Sequence, residues 1–528
     1  MLRIRTFAAV AAVVALTSVA SVARAMTYQV GATRTYKQLS AVAARLEPGD
    51  RVEVDGGATY AGGVVFDRPG SAAQPILVVG IPVGGKRPVI SGGSNTIEAR
   101  ANHYVFEALD VTAGSARCFY KHADDITLRD SVVHHCPAQG ILGADGDSGS
   151  FFLERTEVHH CGSGTQNHQI YMSTDEVAYP NAVFRMQDCY VHDGKGGNNV
   201  KSRAGRNEIY SNWIEGATYH EIELIGSETS PENAVREDSD VVGNVLVKRN
   251  TFFVARFGGD GTGQTKGRYR FVNNTVVTLS GGAAVFRLMD GIESLEIHNS
   301  VFAARSGAVS LVDESSAAWV GGASTIAGQS NWIQAGTTKV PPGLVATVSG
   351  ASPQFAALAS DDLRPAAGSP LVDAGASTFS GPSGHAFPNP LALPTVHPPL
   401  HAPALTTEGR LAIGAIDIGA YELGGAGPPP PPGSPGSPGV PGSPGGAGGP
   451  VGQGAGAGST PSGASAAPGA AAGAGSTGEG ESSADASAST GEDTGACHMG
   501  RTRATSSGPI FLALALALLL TRLRRATR

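Results

Sequence analysis

The sequence predicts an all-β chain folded as a solenoid of stacked strands, and three observations carry that expectation. The first is composition: of 528 residues, 73 are Gly, 6% are aromatic and 16% are charged. That balance suits short strands joined by tight turns and argues against a helical bundle. The second is a strand–turn–strand unit that returns about every 25 residues, with insertions, a period in the solenoid range. The third is that no helical pattern lies between the apolar runs, which argues against a sheet whose strands are linked by helices.

Residues 1–25 read as a secretory signal. Arg3 and Arg5 form a basic start, FAAVAAVVALTSVA is an apolar stretch too short to span a bilayer comfortably, and Ala23-Arg24-Ala25 supplies small residues for cleavage. The mature chain is expected to begin near Met26 and to be exported. TYKQLSAVAARL (35–46) has the apolar spacing of a short amphipathic helix and stops at Glu47-Pro48-Gly49-Asp50. RVEVDGG and GVVF alternate as strands do, and PILVVGI reads as a continuously buried strand. One short helix ahead of many strands is expected to cap the stack.

The repeated unit is visible in ITLRDSVVHHC (126–136), FFLERTEVHHC (151–161), FRMQDCYVHDG (184–194) and NEIYSNWIEG (207–216). It returns in VKRNTFFVA (247–255), RFVNNTVVTL (270–279) and LEIHNSVFAA (295–304). One turn cannot bury its apolar face alone, and stacking on neighbours does so. Asp130, Asp188, Asn250, Asn274 and Asn299 hold the turn position, and a ladder of their side chains is expected to satisfy buried polar groups. These rungs resemble the right-handed parallel β-helix of the pectate-lyase-like superfamily. TYKQLSAVAARLEPGDRVEV resembles its capping helix and first strand, and LRPAAGSPLVDAGA (363–376) and AIDIGAYEL (415–423) resemble its closing segments. The resemblance covers residues 27–424 and implies the fold, which hosts many activities. The β-helix domain is therefore expected over residues 26–424.

Residues 425–496 form a Pro/Gly/Ser/Ala-rich linker, semi-stiff where GPPPPPGSPGSPGVPGSPGG is Pro-rich and a flexible coil after it. Its Gly phase is lost after Gly448, which argues against a collagen-type triple helix. Residues 497–528 hold Cys497 in GACHMG, the apolar run PIFLALALALLL (509–520) and the basic end TRLRRATR. The run is shorter than the ~20 residues that spanning requires. This order resembles the C-terminal surface-sorting signals of myxobacteria and similar Gram-negative bacteria, which implies attachment at the surface near Cys497. A plain transmembrane anchor with its Arg cluster in the cytoplasm is the alternative. Either way the β-helix is expected outside the cell, at the surface or outer membrane, or released.

The five Cys match no zinc spacing, and export makes disulfides possible. Cys136 and Cys161 fall at equivalent places in adjacent rungs, where they stack or bond. His134-His135 and His159-His160 do the same, followed by His192-Asp193, so a stacked histidine patch is expected. Such side chains suit Zn or Cu. A repeated rung repeats its side chains in any case, and a metal site needs convergent ligands with outer partners. No metal is assigned to the patch.

The charge is −7 overall, with no case for nucleic-acid binding, yet Lys201, Arg203 and Arg206 crowd into NNVKSRAGRNEIYSN (198–212). Lys201 and Arg203 alternate along a strand and share a side. The order HQIYMS (168–173), this cluster, then YHEIELIG (219–226) resembles a subgroup of bacterial β-helix proteins with a Lys-Ser-Arg element and a Tyr-x-Glu-Ile rung. Lys-Ser with a downstream Asn is also similar to the chondroitinase B and alginate lyase family. That resemblance implies β-elimination on an acidic polysaccharide, with Lys201 as base and Arg203 or Arg206 neutralising the uronate carboxylate. His192, His220, Glu221 and Glu223 would be substrate-contacting neighbours.

The chain departs from that pattern. The family's acidic calcium ligands are replaced by Gly194, Gly196 and Gly197, and its following Arg falls in EIELIG. Calcium could still use Glu221, Glu223, Asp193 or Asn199. The plainer expectation is that Lys201 and Arg203 pair with Glu221 and Glu223 one rung away. A non-catalytic surface adhesin, matrix-binding or structural protein is the competing reading. The loop VARFGGDGTGQTKGRYRF (254–271) lacks the Gly-Lys-Ser/Thr ending of a phosphate loop.

Overall fold

Each coil of the chain lays down three short strands separated by corners. In one coil these are Phe184–Gln187, Tyr190–His192 and Val200–Arg203; in the next they are Arg206–Tyr210, Trp213–Glu215 and Ile222–Leu224. Each strand pairs in parallel with its equivalent in the coil before and the coil after. The result is three parallel sheets of thirteen, twelve and ten strands, so the chain is a parallel β-helix. The computed structural model describes residues 25–227, 237–261, 265–279, 281–401, 407–424 and 426–427. The expected signal segment up to residue 24, nearly all of the expected linker and the whole tail from Cys497 lie outside the described residues.

Alternation decides what goes inside. Ile126, Leu128, Phe151, Leu153, Phe184 and Met186 point into the coil and join one continuous core. Phe119, Phe151 and Phe184 stack in turn, with centroids 5.9 and 6.3 Å apart. At the other end of the coil stack, strands such as Val245–Val247 and Thr275–Thr278 are buried on both faces. Their outer side is covered by the returning C-terminal segment: Leu363, Ala420 and Tyr421 pack on Tyr190, Trp213, Val245, Val247 and Val277. Leu371 and Ile418 do the same on Val301, Ala303 and Trp332.

The N-terminal helix is only Ser40–Ala43, shorter than the pattern over 35–46. No side chain caps its start, and Pro48 and Gly49 follow closely. Leu39, Val42, Ala43 and Leu46 are nevertheless buried in the core.

The polar ladder exists, but one residue from where the repeat suggested. Asn212, Asn244 and Asn274 form it: Asn212 donates to Asn244 Oδ1 at 2.9 Å, and Asn244 donates to Asn274 Oδ1 at 3.0 Å. Ser300 and Asn331 extend it. Of the expected residues only Asn274 belongs. Asp130, Asp188 and Asn299 precede the ladder position and take the left-handed turn itself, with φ of 52°, 56° and 47°. Asn250 lies at another corner and donates to the Ala217 and Thr218 carbonyls.

Cys136 bonds to Cys118, with Cα atoms 5.8 Å apart, rather than to Cys161. Cys161 and Cys189 are free and buried, and burial pushes the Cys161 thiol up to about 12.

Candidate functional site

Strand Val200–Arg203 lies in the ten-strand sheet, with Val200 in the core and Lys201 and Arg203 on the outer side. Neither forms an open cationic face: Lys201 keeps 8% of its surface and Arg203 1%. The cause is Asp260, from the loop after strand Ala255–Phe257. Its carboxylate takes Arg203 Nη2 at 2.5 Å and Lys201 Nζ at 3.5 Å. Glu223, in the next coil, lies 3.7 Å from Lys201 Nζ. Arg203 also donates through Nε to the Tyr171 hydroxyl at 2.9 Å and through Nη1 to the Gly226 carbonyl at 2.7 Å. The Tyr171 ring lies under Lys201, 5.2 Å from Nζ to its centroid.

Strand register aligns these side chains in one outer column. Tyr171 pairs with Lys201, Lys201 with Glu223, Glu223 with Arg256, and Arg256 with Arg287. Glu223 is the hub: it accepts from Asn198 Nδ2 and from Arg256 Nη1, the latter at 3.0 Å. Burial works to raise the Glu223 carboxyl, but Lys201 and Arg256 outweigh it and hold it down at about 2.

Two histidines border this column. His168 Nδ1 accepts from the Asn198 backbone N–H at 2.9 Å, and His220 Nδ1 meets Asn198 Oδ1 at 3.1 Å. Burial lowers both to about 3, with Lys201 adding to the effect at His168 and Arg256 at His220. The two rings are therefore neutral at pH 7, and His220 Nε2 is buried with no hydrogen-bond partner among the described residues.

Other expected residues do not converge here. Arg206 follows the corner into the thirteen-strand sheet, where it binds Asp240 at 2.5 Å and Glu208 at 3.1 Å. Glu221 is wholly buried at the corner before Ile222, where Lys248 answers it at 3.3 Å and Asn199 at 2.6 Å. His192 belongs to the twelve-strand sheet, bonded to Glu157 and Asp193. Of the expected site residues, Lys201, Arg203, Glu223 and His220 share one neighbourhood; Arg206, Glu221 and His192 do not.

The calcium ligands of the resembling lyases have no room here. A Cβ on Gly196 would stand 2.3 Å from the Ser163 backbone nitrogen, and one on Gly197, at φ +56°, 2.3 Å from His168 Nδ1. Glu221, Glu223 and Asp193 face three different sets of partners. Among the described residues, one group of three metal-capable side chains does converge: Glu215, Asp361 and His401. Its two carboxylates already bind Arg249, and Asp361 also binds Arg305, so cations of the chain occupy that place.

Tyr171, Asp260, Asn198, His168 and Arg256 were not singled out from the sequence. Tyr171 and His168 stand in the quoted HQIYMS, but no spacing rule ties them to Lys201 one coil later. Asp260 is 57 residues from Arg203. Its only signal was its place in a Gly-rich loop of the right length to fold back.

No protein-family profile matches the chain, and no curated protein sequence matches it. Solved structures do. The chain is similar to the pectate lyase Pel9A at 13% identity and a TM-score of 0.45, over 76% of this chain and 96% of that one. It is similar to an alginate lyase from a Paenibacillus species at 17% identity and a TM-score of 0.36, over 55% and 98%. A family 6 polysaccharide lyase from Pseudopedobacter saltans matches at 12% identity and a TM-score of 0.35, over 60% and 92%.

Proposed function

We propose that the protein binds an acidic polysaccharide along the outer column of the ten-strand sheet and cleaves it by β-elimination at Lys201. The observation that carries this reading is the meeting of Lys201, Tyr171 and Arg203 across two adjacent coils. Lys201 pairs as an ammonium with Asp260 and Glu223. Substrate displaces these partners, the ammonium gives a proton to solvent, and Nζ then takes the proton next to the uronate carboxylate. A carbon–carbon double bond forms and the bond to the leaving glycosidic oxygen breaks. The Tyr171 hydroxyl gives that oxygen its proton, and the Arg203 Nε–H donating to Tyr171 stabilises the phenolate left behind. Coils about 4.8 Å apart place Arg256 about 10 Å from Lys201 along the axis, where it meets carboxylates further along the polymer. Arg203 is engaged by Tyr171, Gly226 and Asp260, and Arg206 faces another sheet, so neither is assigned to the uronate carboxylate at the reacting sugar.

The competing reading is a glycan-binding surface protein without chemistry. It is favoured by the complete engagement of Arg203 with Tyr171, Gly226 and Asp260. Export and display at the cell surface complete either proposal and rest on the signal and tail sequences alone. The test is a near-ultraviolet absorbance screen for unsaturated ends with alginate, pectate and glycosaminoglycans, with and without calcium. Product that disappears in both Lys201→Ala and Tyr171→Phe supports elimination. Retained polymer binding without product supports the binding protein, and neither result leaves no glycan role for this face.

A further inference from the structure

The twelve-strand sheet carries a second group of side chains that the proposed glycan chemistry does not use. His134, His159 and His192 end successive strands and stack, with centroids 5.1 and 5.0 Å apart. The residue after each takes a left-handed turn: His135 at φ 50°, His160 at 55° and Asp193 at 51°. That turn swings the second side chain back beside the first, and His135 stacks on His160 at 4.7 Å. The sheet edge therefore presents three pairs, one above another: His134/His135, His159/His160 and His192/Asp193. All lie on the outer side, and the last, His192, stacks at 4.0 Å on Tyr190, where the cover of the C-terminal segment begins.

The pairs are aimed nitrogen to nitrogen. His134 Nδ1 lies 2.7 Å from His135 Nδ1, His159 Nδ1 lies 2.8 Å from His160 Nδ1, and His192 Nδ1 lies 2.8 Å from Asp193 Oδ2. Each His–His contact holds one proton between two lone pairs. Metal–nitrogen bonds of about 2.0 Å put two ligands at right angles about 2.8 Å apart, whereas tetrahedral placing needs about 3.3 Å. The observed spacing thus fits a right-angled pair, the geometry that tetragonal Cu(II) and Ni(II) use.

The outer partners are also present. His134 Nε2 donates to Asp110 at 2.8 Å and His192 Nε2 to Glu157 at 3.0 Å. At His134 the carboxylate on the far nitrogen leaves Nδ1 with its lone pair and raises its strength as a ligand. His192 has a carboxylate on each nitrogen and offers no free lone pair, so the ligand pairs are His134/His135 and His159/His160.

We infer that these stacked pairs form a binding site for a divalent transition metal of the tetragonal class, Cu(II) or Ni(II). The metal replaces the shared proton of a pair, which leaves to solvent, and is chelated by the two Nδ1 atoms. The test is titration of the full chain with Cu(II), read by electron paramagnetic resonance, with Zn(II) as the comparison. The expected result is a tetragonal Cu(II) signal with nitrogen coordination. His135→Asn with His160→Asn weakens binding tenfold or more, since Asn tolerates the left-handed turn and keeps the fold. Asp110→Asn weakens it less, by acting through His134. Cu(II) bound without nitrogen coordination, or bound equally by the folded double variant, overturns the inference. Preference for Zn(II) overturns the assigned metal class.

Discussion

The histidines of the two outer faces come from one repeat and end in opposite situations. His168 and His220, beside the ten-strand sheet, are buried among cations and held neutral. His134, His159 and His192, on the twelve-strand sheet, are half-buried, stacked on each other and bonded to carboxylates only at their ends. On the first face unlike charges answer each other from coil to coil, as Lys201, Glu223 and Arg256 do. On the second, like residues repeat and keep lone pairs near the surface. The difference teaches that a buried column has to answer its own charges, whereas an open one can repeat a single residue type.

Acid acts over the widest window on the ten-strand face, since His159 on the other face is lowered only to about 4. His168 and His220 have folded pKa values of about 3, below the ordinary histidine range near 6.5. The unfolded chain therefore binds more protons between those limits, and stability falls as pH drops from 6.5 toward 3. Each histidine contributes a slope of about 1.4 kcal/mol per pH unit. Denaturant melts across that window should show the slope reduced by one proton in His220→Asn and left nearly intact in His135→Asn.

Breaking the charge column is expected to be nearly as severe. Glu223→Gln leaves Lys201 and Arg256 without a shared buried carboxylate and should cost about 3 kcal/mol in urea unfolding. A loss below 1 kcal/mol would mean that the column is solvated in practice. The Asn ladder sharpens the comparison, because it too repeats one residue type, but in the interior. Asn244→Ala strands donors and acceptors on Asn212, Asn274 and Ile209 and should cost about 2 kcal/mol. His159→Ala removes the middle of a half-exposed stack and should cost about 0.5 kcal/mol. If His159→Ala proves as costly as Asn244→Ala, burial is not what distinguishes the columns.

Much of the fold was legible because a solenoid writes its architecture locally. The returns of ITLRDSVVHHC as FFLERTEVHHC, and the lack of helices between strands, required only short-range patterning. The ladder was misplaced by one residue because Asp, Asn and Ser suit both the left-handed turn and the buried rung next to it. The segment VKRNTFFVA matched the repeat in composition but spans the corner between strands Val245–Val247 and Ala255–Phe257. The Cys136 partner was missed because Cys118 lies on a different strand of the preceding coil, outside the aligned repeat.

The sequence by itself determined the all-β solenoid, the strand alternation that sets Lys201 and Arg203 on one side, and the stacking of the histidine pairs. Those features depend on period-two alternation and on repetition, which neighbouring residues carry. Only the tertiary structure decided that Arg206 turns onto another sheet, that Asp260 closes over Lys201 and Arg203, and that Tyr171 meets Arg203. Contacts along a β-helix axis join residues a full coil apart or more, and the insertions between coils set which side chains meet. A short cluster of cations in the chain therefore does not specify a cluster in space.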